Sequence, residues 1–84
     1  MIFIMKFKKN IATSDTGFIF NPGSGDSFSS NQIGTDLLAF FKEDKTRVEI
    51  IRLICAKYEV EKIQFEKDLD DFITQLRDHN LLEN

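Results

Sequence analysis

Eighty-four residues, 42% hydrophobic and 30% charged, have the balance of an ordinary globular domain and not of a disordered chain. A chain this short buries only roughly 60–65% of its unfolded surface, which leaves no room for a catalytic domain beside a regulatory one. The net charge of −3 argues against nucleic acid, whose phosphates need a concentrated basic surface.

The opening "MIFIMKFKK" has an apolar run too short, and lysines in the wrong place, for a secretory signal. It reads as a strand over residues 3 to 9. Phe3, Met5 and Phe7 share one face, Lys6 and Lys8 the other. Met5 is an alternative start to Met1. The single cysteine, Cys55, cannot form an internal disulfide, and with no signal the expected location is a reducing cytoplasm. "NIATSDTG" reads as an irregular connection.

"FIFN" is the second strand and "NPGSGD" its turn. Pro22 presets φ, and Gly25 can take the left-handed conformation that ends the turn. A four-residue loop sets Asn21 opposite Asp26 and Ile19 opposite Phe28. Phe18 and Phe20 then share the other face with Ser27 and Ser29. Asn31 caps a helix in "QIGTDLLAFFKED", with Ile33, Leu37, Phe40 and Phe41 on one face. "TRVE" is a capping box. It opens a second helix with Val48, Ile51, Ile54, Cys55 and Tyr58 on its buried side. The last helix spans about residues 62 to 79, with a stripe of Phe65, Leu69, Phe72, Ile73 and Leu76. Asn80 serves as its left-handed stop, and Leu81 and Leu82 fold back onto the core. The predicted fold is α+β: a three-stranded antiparallel sheet followed by three helices, winged-helix-like, in one domain over residues 1–84.

Several chemical signals fail. "GSGDS" lacks the Lys-Ser/Thr pair of a phosphate loop and sits in a hairpin. It also lacks the second glycine of a nucleophile elbow, because Ser29 stands there. Cys55 and the lone His79 do not make a metal site. No catalytic set can be assembled, so neither an enzyme nor a cofactor is expected. The last helix and its lead-in set Glu61, Glu66, Asp68, Asp70, Asp71 and Asp78 against only Lys62, Lys67 and Arg77. Such a helix would be repelled by DNA.

Two surface features survive. The third strand, "DSFSS", has no lysine or proline to guard its edge, whereas the first carries Lys6, Lys8 and Lys9. An extended peptide could add there and satisfy the free backbone groups; the plain alternative is a short strand covered by the protein's own last helix. Phe18 and Phe20, on the opposite sheet face from Ile19, form an apolar surplus. It suggests a dimer contact, a bound partner or cover by the N-terminal strand.

From Gly17 to Leu82 the sequence resembles the coenzyme PQQ synthesis protein D family. The resemblance rests on "FNPGSGDSFSSN", "GTDLLAFFKED", "TRVEIIRLICAKYEVE" and "FEKDLDDFITQLRDHNLL", in that order and spacing. It implies a non-catalytic, winged-helix-like recognition element. Such an element binds the leader of a ribosomally made precursor peptide and presents it to a modifying enzyme, often of radical-SAM type. The implied docking strand is Asp26, Ser27, Phe28, Ser29 and Ser30. The implied groove wall comes from the last helix, at Phe65, Asp68, Leu69, Phe72 and Gln75. The family usually has Leu where Ser30 stands, and Gly where Asn80 stands. The alternative is a homodimeric winged-helix-type interaction module that binds no leader. A third reading is an acidic winged helix acting in transcription through protein contacts.

Overall fold

The hairpin turn closes as its residues dictate. In the computed structural model, which describes residues 6–83, Gly25 takes φ 78° and its N–H donates to the Asn21 carbonyl at 2.8 Å. A side chain at that φ would be strained, so the position suits glycine. Strand β2 (Phe18–Asn21) therefore returns as β3 (Asp26–Ser29), antiparallel. Ile19 lies opposite Phe28, Asn21 opposite Asp26, Phe18 opposite Ser29 and Phe20 opposite Ser27. This is the register the four-residue loop predicts.

The first strand differs from expectation. Strand β1 is Ala12–Thr13, within the segment read as an irregular connection, and the sheet order is β1-β2-β3. Of the expected strand over residues 3 to 9, Phe3 and Met5 lie outside the described residues. Phe7 instead bridges Leu82 in antiparallel fashion. The Lys8 N–H donates to the Leu81 carbonyl, and the Glu83 N–H to the Lys6 carbonyl, each at 2.9 Å. The cause lies at the other end of the chain. Asn80 (φ 58°) turns the backbone so that Leu81 and Leu82 run back beside Phe7 and give it a partner. Lys6, Lys8 and Lys9 therefore do not guard an edge of this sheet.

Three helices follow. Helix α1 (Gln32–Lys42) is capped by the Asn31 side chain, which accepts from the Gly34 N–H at 2.8 Å. Helix α2 (Arg47–Lys57) carries the capping box, with Thr46 and Glu49 bonded reciprocally. Helix α3 (Lys62–Asp78) is the longest. The core gathers Ile19 from the sheet, Leu37, Leu38 and Phe41 from α1, and Ile50, Ile51 and Ile54 from α2. Phe65, Leu69, Ile73 and Leu76 of α3 complete it with Leu81 and Leu82. Val48, expected on the buried side of α2, is 73% exposed. Ile50 takes the inward place instead. Helix α2 is apolar on more than one face, so spacing alone could not select the one that packs.

Candidate functional site

The two hydrogen-bonding sides of β3 are unequal. The Ser30 N–H donates to the Gly17 carbonyl at 3.0 Å. In an antiparallel ladder, hydrogen-bonded and non-bonded pairs alternate. From the Gly17–Ser30 pair the alternation makes Ile19–Phe28 and Asn21–Asp26 bonded pairs as well. The N–H and C=O groups of Ser27 and Ser29 therefore point away from β2. The bond from the Ser14 N–H to the Phe18 carbonyl, 2.9 Å on the other side of β2, fixes the same phase. Strand β3 is the edge of the sheet, and Ser27 and Ser29 are exposed. The site is thus a row of backbone donors and acceptors with little side chain in front of it.

Ser30 has a specific role. Its hydroxyl donates to the Gly17 carbonyl at 3.0 Å, so one oxygen is held by both groups of Ser30. Gly17 has φ 92°, and a Cβ there would meet Ser30 Oγ at 2.7 Å and Thr35 Oγ1 closer still. A Cβ on Gly34 would lie 2.6 Å from Ser30 Cβ. Three small residues thus let the end of β3 sit tightly on the first turn of α1. Where the family resemblance leads one to expect an apolar anchor, Ser30 forms a hydrogen-bonded clamp.

Beyond that clamp a hollow of about 210 Å³ opens between α1 and α3. Asn31, Ile33, Gly34 and Leu37 line one side; Val60, Phe65, Asp68 and Phe72 line the other. Three of the five α3 residues expected to form a groove wall, Phe65, Asp68 and Phe72, meet here. Leu69 does not line it and is wholly buried in the core, at 0% exposure. Gln75 is exposed on α3 outside the hollow. Phe28, half-buried on the inner sheet face, packs against the His79 ring at the end of α3, with centroids 4.5 Å apart. Sequence reasoning did not anticipate Ile33, Val60 or His79 in this region. The available signal was Asn31: a cap directly after β3 must bring the α1 N-terminus beside the strand's end.

A second concavity, of about 680 Å³, lies between α2 and α3 and involves no residue of the sheet. Val48, Ile51, Cys55 and Ala56 floor it beneath Arg47, Arg52 and Lys62. It is larger, but it offers no open backbone. Arg47 there is engaged by Asp70 and Glu66 of α3. On α1, Asp36 accepts from Tyr58 Oη at 2.6 Å and Lys57 Nζ at 2.9 Å. Burial pushes the Asp36 carboxyl up, but these bonds and the lysine charge outweigh it and hold it below its ordinary value. The cluster ties the end of α2 to α1. Among the described residues no group of three His, Cys, Asp or Glu could hold a metal ion. No helix among them is long and apolar enough to cross a membrane.

Two solved structures share this fold. TbiB1 in complex with the TbiA(beta) leader peptide superposes with a TM-score of 0.87 at 29% identity, covering 95% of this chain and 96% of its own. Lasso peptide synthetase B1 complexed with the leader peptide has a TM-score of 0.86 at 18% identity, covering 98% and 100%. No curated protein sequence matches the chain. The family described as coenzyme PQQ synthesis protein D matches residues 17–82, from the glycine before β2 to the second leucine of the returning tail. With that span matched, the chain belongs to the coenzyme PQQ synthesis protein D family.

Proposed function

We propose that this protein is a peptide-recognition element. It binds the leader of a ribosomally made precursor peptide by strand addition at β3 and presents it to a peptide-modifying enzyme. Its own part is binding and not chemistry, carried out by one domain in the cytoplasm. The enzyme served is of radical-SAM type in the reading taken from the family resemblance. The observation that carries the proposal is the open edge of β3: the backbone groups of Ser27 and Ser29 face outward beside the α1–α3 hollow. A 29%-identical relative whose structure holds a leader peptide supports it. In this reading Asp26, Ser27, Phe28, Ser29 and Ser30 form the docking strand. Asp68, Phe72 and Gln75 contact the peptide, while Phe65 and Leu69 support that wall from the core.

The test is a titration of the isotope-labelled protein with synthetic TbiA(beta) leader peptide, followed by amide resonances. Saturable shifts concentrated at residues 26 to 30 and at Ile33, Val60, Asp68 and Phe72 are expected. Shifts absent there, or confined to the α2–α3 concavity, would sink the proposal. A second reading, a homodimer joined through the outer sheet face, draws on the exposure of Phe18 and Phe20, 56% and 44%. It requires a dimer by light scattering that Phe18→Asp dissociates.

A further inference from the structure

The outer face of the hairpin has a regular cross-section. Phe18 lies opposite Ser29 and Phe20 opposite Ser27, and alternation sets all four side chains on the face turned away from Ile19 and Phe28. Each row across the sheet therefore reads phenylalanine, serine, open edge. The serines at the ends of these rows are the two residues whose backbone groups point outward. A strand docked on β3 must pair with Ser27 and Ser29, and its side chains in line with them must share their face.

Neighbouring strands lie about 4.8 Å apart, so a docked strand would run about 10 Å from β2. The serine side chains are too short to fill that interval, which leaves a trough walled on one side by the two rings. A phenylalanine ring on one side and a long apolar side chain on the other, each extending about half of that interval, can meet above the serines. We propose that the bulky apolar side chains of the docked peptide that face away from the helices pack over Ser27 and Ser29 against Phe18 and Phe20. The site then reads both alternations of an extended peptide: one against the α1–α3 hollow and Phe28, the other against this aromatic pair. The substrate class is an extended segment with large apolar residues two apart, in line with Ser27 and Ser29. This rests on the strand addition proposed above.

Area favours this occupant over a second copy of the chain. Strands of two, four and four residues give an outer face with a footprint of only about 160 Å², from their length and spacing. A stable dimer needs about 800 Å² per partner. The trough also opens directly onto the docking edge.

The test uses fluorescence anisotropy with labelled TbiA(beta) leader peptide against Phe18→Thr, Phe20→Thr and the double variant. Threonine keeps the strand preference, and both positions are exposed, so melting temperatures should barely move. Each single change should weaken binding about two- to fivefold, the upper part of the range for a cross-strand aromatic contact. The shifts of the Ser27 and Ser29 amides on binding should persist. In double-mutant cycles, alanine at the peptide positions paired with Ser27 and Ser29 should couple to Phe18 and Phe20, and alanine at the intervening positions should not. Unchanged affinity with the amide shifts intact would overturn this inference and leave the strand-addition reading standing. Loss of those shifts in the unsubstituted protein would overturn both. A dimer that Phe18→Thr dissociates would assign the face to a second copy instead.

Discussion

The two edges of the sheet are built oppositely. Edge β1 is two residues long, and turns flank it: the Ile11 N–H donates to the Lys8 carbonyl, and Ser14 bonds both Phe18 and Thr16. Edge β3 has four residues, ends in a hydrogen-bonded clamp at Ser30, and has an apolar hollow beyond it. Shortness protects an edge as well as lysine does. The lysines read as guards belong elsewhere in the fold, and β1 needs none. Among the described residues, an edge long enough to template a strand, on a scaffold that holds it in place, exists on the β3 side of this sheet and not on the β1 side.

The comparison breaks most severely if the scaffold under β3 is loosened. Leu69→Ala removes a wholly buried side chain from α3 and should cost about 2–5 kcal/mol of stability, read as a lower urea midpoint. Leader affinity of the fraction that remains folded should change little, because Leu69 lies behind the wall and not on it. Next is Ser30→Leu, which introduces the residue expected from the family resemblance but deletes the hydroxyl bond to Gly17 and crowds Gly34. A stability loss of about 1–3 kcal/mol is expected, from overpacking and the lost bond. A variant as stable as the parent would show that the clamp is dispensable.

A paired proline experiment addresses the edges directly. The phase of the ladder turns the N–H of Ser29 outward on one edge and that of Thr13 outward on the other. Proline is tolerated where an edge N–H faces solvent. Ser29→Pro should weaken leader binding by about 0.5–1.5 kcal/mol, one net hydrogen bond, or roughly two- to tenfold. Thr13→Pro should leave it unchanged. Equal effects at both edges, measured by anisotropy, would erase the distinction.

The smallest effect is one of pH. Asp36, between Tyr58 and Lys57, and Glu49, bonded to the Thr46 backbone and hydroxyl, both titrate below their ordinary values of 3.8 and 4.5. A depressed carboxyl favours the folded state above its unfolded value, and that contribution fades as pH falls through the folded value. The urea midpoint should therefore decline below about pH 4, and Asp36→Asn should flatten that decline. An unaltered acid limb would show that the Asp36 cluster contributes nothing to it. Neither group belongs to β3 or lines the α1–α3 hollow, so leader affinity should not follow the same curve.

What was legible in the sequence follows from period and punctuation. Pro22 and Gly25 bounded a loop of fixed length, so the pairing of Ile19 with Phe28 could be read residue by residue. Asn31, the Thr46–Glu49 box and Asn80 marked chain reversals through their own side-chain or backbone chemistry. Strand β1 was not legible because two residues have no period. Val48 misled because Ile50, Ile51 and Ile54 offered a competing inward face, one that packing and not spacing selects. Phe65, Leu69 and Phe72 form one stripe in sequence. Only α1, docked by the small residues at 30 and 34, divides them into buried core and hollow wall.

The bridge between Phe7 and Leu82 has a consequence for how the domain can be built into other proteins. Antiparallel pairing of Lys6 with Glu83 brings the two ends of the described fold out side by side, one strand spacing or about 5 Å apart. A chain entering at one leaves at the other almost where it began. Topologically the module is a long loop with a narrow neck. It can be spliced into a surface turn of a larger enzyme without spreading the residues that flank the insertion, while β3, elsewhere in the fold, keeps its edge free.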